Sequence, residues 1–243
     1  MLPLEVLLPV ALPAIYLLDS VHFLSIGEAA ITTRAGSIRG LSCGARFELG
    51  GRRLLLPNPL TPFWPELRLE WITSSGARNR AEQARDEMIR CLRAARPIGR
   101  IGAVCALLII IVAPLALLLG NERWFVASAA LSFALTVAAC ALVGIRRRDL
   151  GLTRAQACSS VLVALVCAPC APNLARGILL HRRWTLRAPE VLTLGFDKSH
   201  LGPVRQTLET ALSDALRFVP EESAEQDAIS EQLQELREAG RAA

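Results

Sequence analysis

Apolar positions in this chain gather into a few long runs, and shorter periodicities fill the polar stretches between them. Ile101 to Leu119 and Trp124 to Ile145 contain no charged residue over 19 and 22 positions. At about 1.5 Å per residue, each is long enough as an α-helix to cross a hydrocarbon core about 30 Å thick. Only Gly120-Asn121-Glu122-Arg123 separates them, which predicts a tight antiparallel hairpin over residues 101–145. Met1 to Leu18 carries one charge, Glu5, with Pro3, Pro9 and Pro13. It lacks the basic start and small-residue cleavage site of a signal peptide. Residues 1–19 are therefore expected to form a third span, with a segment lying in the interface as the alternative.

A fourth apolar run, Ala157 to Ala175, is also uncharged over 19 positions. Pro169, Pro172 and Asn173 interrupt its second half, and Arg176, His181, Arg182, Arg183 and Arg187 follow it. A crossing here would place that basic cluster outside, against the rule that cationic residues stay on the cytoplasmic side. A re-entrant or interfacial segment is expected within residues 146–187, and a fourth span is the competing reading.

The pattern between the spans is different. Glu28 to Arg34, Ala45 to Leu49, Arg52 to Leu56 and Leu67 to Ile72 read as short strands, and Gly50-Gly51 between two of them is a two-residue hairpin signal. Pro57 to Pro65 holds four prolines and cannot continue a sheet ladder. Residues 20–75 thus suggest a small β-containing module with a Pro-rich loop. Phe63 and Trp64 in that loop suit either the bilayer surface or the cover of the module. Arg78 to Arg96 has helical spacing, and Pro97 with Gly99 is expected to end that helix. Beyond Pro203, Val204, Leu208, Ala211, Leu212, Ala215, Leu216 and Val219 make one apolar stripe, so residues 188–243 read as a helical tail.

Charge orients these elements. Of 27 basic residues, only Lys198 is lysine, a bias that points to a GC-rich bacterial genome. Residues 76–100 carry seven Arg against Glu82, Asp86 and Glu87, and Arg146, Arg147 and Arg148 follow the second long run. Both flanks of the hairpin are therefore expected in the cytoplasm, together with residues 20–100 and the C-terminus. That makes 76–100 a basic juxtamembrane helix. Trp64, Arg100, Trp124, Arg146, Arg147, Arg148 and Trp184 are the expected membrane-interface residues. After Pro220 seven acids face Arg237 and Arg241, so the acidic end is expected to dock on the basic helix or on an equally basic partner. The net charge of +5 is accounted for by orientation, and no nucleic-acid partner is expected.

Candidate chemistry is sparse. Cys167-Ala168-Pro169-Cys170 has the spacing of a dithiol redox pair, but no second Cys-x-x-Cys accompanies it among the seven cysteines. Small apolar packing is the preferred role of both residues, and zinc binding with Cys158 and His181 is a weak pattern. Asp19 with His22 and Asp197 with His200 share a spacing that could hold a metal if helical, although coincidence explains it better. No phosphate-binding loop, zinc-protease helix or nucleophile elbow is present. Ser128, Ser132 and Thr136, spaced by four residues, offer a helix-packing face.

Tyr16-Leu17-Leu18-Asp19, the Asn58-Pro59-Leu60-Thr61-Pro62 loop, the central hairpin and the later Pro-rich apolar segment occur in that order. In this the chain resembles a group of uncharacterised bacterial multi-pass membrane proteins over residues 10–190. The resemblance implies no activity and no site residue. The expectation is an α-helical inner-membrane protein of about three spans with noncatalytic anchoring, scaffolding or assembly as its role. Its expected partners are the lipid bilayer and a membrane or cytoplasmic protein, with no cofactor. Membrane thiol redox through Cys167 and Cys170 is the alternative, and a subunit of a transport complex comes third.

Overall fold

A computed structural model describes the chain except residues 1–3, 26, 35–36, 46–47, 50–51, 60, 63, 65, 72–80, 197, 221–222 and 242–243. It is mostly helical with small β-sheets. The chain divides into two units and passes between them at residues 21/22, 55/56, 65/66, 89/90 and 179/180.

The first unit comprises residues 1–21, 56–65 and 90–179. It begins with α1 (Leu4–Asp19), which carries Pro9 and Pro13 inside it. α2 (Ala81–Leu107) starts in the second unit and ends in the first. It runs unbroken through Pro97, so the expected break at Pro97 and Gly99 is not there. Proline removes one intrahelical hydrogen bond, but Ala94, Ala95 and Ile98 around it are buried, and their packing holds the helix together across that gap. A π-helical turn, Leu108–Val112, joins α2 to α3 (Ala113–Leu118), with the Ala113 N–H bonded five residues back to Leu108. Pro114 cannot donate to the turn before it, and the wide turn absorbs that loss. From Gln83 to Leu118 this is one helical rod of 36 residues.

α4 (Glu122–Ile145) follows a tight turn in which Gly120 takes a positive φ of 64° and the Asn121 side chain accepts from the Trp124 N–H at 3.3 Å. α3 packs on α1 and α4, and α4 packs on α5 (Arg154–Val166), which a Thr153/Gln156 capping box starts. α5 stops after 13 residues. The chain then forms a 3₁₀ helix, Ala168–Asn173, and a short α6 (Leu174–His181). The fourth apolar run is thus two helical pieces around a break, as its prolines dictate.

The second unit comprises residues 22–55, 66–89 and 180–243. Its larger sheet has the order β3-β2-β6-β7, from β2 (Glu28–Arg34), β3 (Ser37–Ser42), β6 (Glu66–Trp71) and β7 (Arg183–Leu186). Its smaller sheet pairs β1 (His22–Ser25) with β5 (Arg52–Leu55) and β5 with β4 (Glu48–Leu49), all antiparallel. β4 and β5 lie on either side of the Gly50-Gly51 pair, which is outside the described residues. Ala29, Ala30 and Ile31 are all fully buried, so β2 is covered on both faces. Leu24, Ala30, Leu55 and Leu180 form one apolar cluster of this core.

Two boundaries differ from the sequence reading. The β module is not confined to residues 20–75: the Pro-rich loop belongs to the first unit, and β7 joins β6 in parallel from far along the chain. The expected tail is part of the same unit. It contains α7 (Ala188–Leu192), α8 (Lys198–Leu216) and α9 (Ala224–Arg241). α8 packs on β3, and α9 packs on α8 and α7. Ile229, Leu233 and Leu236 are the buried seam of α9, while Arg187 pairs with Glu231 and Glu235 at 3.6 and 3.2 Å. The Ala188 N–H donates to Gln232 at 2.9 Å. The acidic end therefore packs on α7 and α8, where it finds both an apolar seam and Arg187.

Gly102 in α2 is a point of close approach: a Cβ there would sit 2.5 Å from the Pro172 carbonyl oxygen. Gly177 in α6 has nothing within 4 Å of the same position. We expect Gly102→Ala to destabilise the first unit by about 1–3 kcal/mol through overpacking, and Gly177→Ala to be neutral or stabilising by up to about 1 kcal/mol. Thermal unfolding in detergent micelles checks the pair; equal effects would contradict the packing described.

Candidate functional site

Three of the four motif segments converge within the first unit on one buried polar network. α1 ends at Asp19, and the Ser20 hydroxyl donates back to the Tyr16 carbonyl at 2.9 Å. The Tyr16 hydroxyl donates to the Pro59 carbonyl, which ties α1 to the Pro-rich loop. Asn173, the last residue of the 3₁₀ helix, donates to the Ser20 hydroxyl at 2.9 Å and to an Asp19 carboxylate oxygen at 3.0 Å. Arg176 is 1% exposed. Its guanidinium donates to the Asn173 side-chain oxygen at 3.3 Å and to the carbonyls of Asn58 and Thr61 at 3.0 and 3.2 Å.

The chemistry of this arrangement is that of a clamp. Pro57, Pro59 and Pro62 bring no N–H to the loop, whose Asn58 and Thr61 carbonyls accept one N–H each from Thr61 and Trp64 and have room for a second donor. One terminal nitrogen of Arg176 reaches both carbonyls and the other reaches the Asn173 side chain, a planar spread that a compact ammonium does not match. Asp19 is the acid in this network, reached by Asn173. None of this was legible in the spacing. Arg176 reads as one more positive charge after an apolar run, and its only local signal is Asn173 three residues before it.

Cys167 and Cys170 stand at the start of the same 3₁₀ helix and are joined by a disulfide, with their Cα atoms 5.3 Å apart. This corrects the expectation of separate packing thiols. Pro169 is buried between them and Ala168 is exposed, so the turn brings the sulfurs together at a partly exposed edge.

The remaining candidates fall as follows. Ser128, Ser132 and Thr136 lie on the buried face of α4 with Ala139, Cys140 and Val143. Ser128 and Thr136 bond back to the carbonyls of Phe125 and Ser132, each at 2.8 Å. Trp124 is 65% exposed at the start of α4. Arg100 is exposed on α2, Arg146 and Arg147 are half-buried after α4, Arg148 is exposed, and Trp64 is half-buried in the loop. Trp184 is not at an interface: it lies on β7 beside Leu69 and is 5% exposed. A strand of four residues directly after an apolar segment carries no period from which its burial could be read. Arg182 stacks 3.9 Å above its ring and pairs with Glu87 at 2.8 Å.

On the larger sheet, Glu28 is buried and is held by the Ser25 N–H at 2.7 Å and by Arg68, with Arg183 at 3.7 Å. Register sets Glu28 opposite Glu70 and Arg68 opposite Arg183. The attractive pairs are therefore diagonal, and the four charges form a cross-strand lattice. Among the described residues no group of three or more His, Cys, Asp or Glu side chains could hold a metal ion. Asp197 of the second Asp-x-x-His pattern lies outside the described residues. No family model, curated protein or solved structure matches the chain.

Two predictions follow from these environments. Replacing Arg176 by Met removes one of the donors to each of two loop carbonyls and the tie to Asn173, and we expect a loss of about 1–3 kcal/mol. The Thr61 and Trp64 amides, bonded within the loop to Asn58 and Thr61, should then exchange up to about 100-fold faster. Arg176→Lys should recover less than half of that protection; unchanged exchange in both variants would contradict the clamp. Separately, desolvation pushes the Cys43 thiol up from 9.0 to about 11, with Arg53 opposing and Asp214 adding to the rise. At pH 8 its thiolate fraction is lowered roughly 100-fold. Alkylation of native Cys43 should be slower by that order than in the denatured chain and should climb about tenfold per unit up to pH 10; equal native and denatured rates would contradict it.

Proposed function

We propose that the chain is a multi-pass protein of the bacterial inner membrane that anchors its second unit as a scaffold for a protein partner. One observation carries the membrane reading: α4 is inside out. The side chains it buries are led by Ser128, Ser132, Thr136 and Ala139, while Val126, Leu131, Phe133, Val137 and Ile145 are exposed. In water that distribution would leave a large apolar face unsatisfied. In lipid it is the favoured one, because small and hydroxyl residues let helices approach and large apolar ones meet acyl chains.

The same holds for neighbouring helices of that unit. Leu115 and Leu118 on α3, Leu7, Val10, Ile15 and Leu17 on α1, and Leu162 and Val163 on α5 are exposed. Two helices, Gln83–Leu118 and Glu122–Ile145, are long and apolar enough to cross. α1 is the third span in this reading. α5, the 3₁₀ helix and α6 form a re-entrant or interfacial segment, which Asn173 and Arg176 tie to the end of α1 and to the Pro-rich loop. The Arg-rich flanks put residues 146–156 and the C-terminus in the cytoplasm.

The scaffold role rests on connectivity. Three separate chain segments build the second unit, and the segments between them belong to the first. The second unit is thus held to the anchor at both ends of each inner segment, which suits a presented platform better than a freely tethered enzyme domain. Topology is tested with single-cysteine labelling in intact cells. An Arg123→Cys chain should react with a membrane-impermeant maleimide from outside, whereas Arg148→Cys should react only after the inner face is opened. The reverse pattern would overturn the orientation. A chain released into the supernatant by alkaline carbonate would overturn the membrane reading itself. Gentle solubilisation after crosslinking should recover a stoichiometric protein partner bound through the second unit, and a chain that always purifies alone would refute the scaffold.

A further inference from the structure

We propose that Cys167 and Cys170 form a thiol–disulfide exchange site that takes a dithiol as its substrate. The bridge is redundant as a structural staple. The turn it spans is already closed by the Cys170 N–H on the Cys167 carbonyl at 2.9 Å, and the Cys167 N–H is bonded to Val163 at 2.9 Å. Pro169, Ala171 and Pro172 within the turn are buried. The cysteines are three residues apart, so bridging them restricts little of the unfolded chain. A bond that the fold does not need is free to open and close without unfolding the unit.

The site is also accessible and firmly placed. Both cysteines are partly exposed, Cys167 next to the exposed Ala168 and Cys170 between the buried Pro169 and Ala171. Residues three apart in a 3₁₀ helix eclipse one another, so Cys170 and Asn173 share one face. Asn173 is fixed to Asp19 and Ser20, and at about 2 Å of rise per residue Cys170 stands about 6 Å along the axis from that polar end of α1. The bridge is thereby held near a polar boundary, where a hydrophilic dithiol can reach it. The proposal goes beyond the scaffold reading and rests on it in one respect: residues 146–156 on the reducing side make a persistent bridge there a cycling one.

The exchange balances without another reactant. A thiolate of the substrate dithiol attacks one sulfur of the Cys167–Cys170 bond, forming a mixed disulfide and releasing the other cysteine as a thiolate, which takes a proton from water. The second substrate thiol, deprotonated to water, then attacks the mixed disulfide. The substrate leaves as a disulfide, oxidised by two electrons, and Cys167 and Cys170 remain as two thiols. A disulfide oxidant of the same class reverses the sequence.

The test uses the full unmodified chain, oxidised and folded in micelles at neutral pH. Either dithiothreitol or reduced thioredoxin is added at equal dithiol concentration, the reaction is quenched with acid, and the 155–176 fragment is mapped by mass spectrometry after alkylation. We expect the bridge to open with retention of the helical circular dichroism, and to close again in oxidised glutathione. Opening at least about tenfold faster with thioredoxin assigns a protein dithiol, and comparable rates assign a small one. A bridge that opens only after denaturation, or a pair that stays as free thiols in oxidised glutathione, overturns the proposal. Neither failure touches the scaffold, which is read from topology and partner recovery.

Discussion

The structure depends on a helix whose polar and apolar faces are exchanged. α4 turns Ser128, Ser132 and Thr136 inward and Leu131, Phe133 and Val137 outward. In the lipid environment we propose, burial of apolar area is not what draws neighbours to such a face, and close packing of small side chains takes its place. Cys105 illustrates the consequence: its thiol reaches the Ser132 carbonyl at 3.8 Å across the hairpin. At Gly102 the absence of a side chain lets the Pro172 backbone approach.

In the clamp, Tyr16, Ser20, Asn173 and Arg176 tie together the end of α1, the Pro-rich loop and the broken end of the fourth apolar run, adding side-chain donors to carbonyls of the helix end and of the loop. The second unit follows ordinary soluble logic instead. Its central strand β2 is buried on both faces, its charges are paired across strands, and α9 closes on α7 and α8 through Ile229, Leu233 and Leu236.

What the sequence disclosed follows the range of the forces involved. The two long apolar helices were legible because composition over some twenty positions decides them, β2 because β-branched residues cluster in it, and β6 because alternation is local. Pro97 misled because tertiary packing outweighed one lost hydrogen bond. β7 and Trp184 were missed because a parallel strand of four residues carries no local mark of its distant partner β6. The clamp joins residues as far apart as Tyr16, Asn58 and Arg176. Each belongs to a different segment, and only the fold shows that they meet. The disulfide was visible as a spacing, and its formation depended on a turn set by Pro169 and Pro172.

The central claim is that the outward face of α4 meets lipid. A diazirine probe confined to the bilayer, activated in liposomes containing the full chain, reads this directly when adducts are mapped along residues 122–145. The account predicts carbene insertion at Leu131, Phe133 and Val137 and little at Ser128, Ser132 and Thr136. Labelling absent from all of α4, with the same face reacting with a water-soluble carbene, would contradict it.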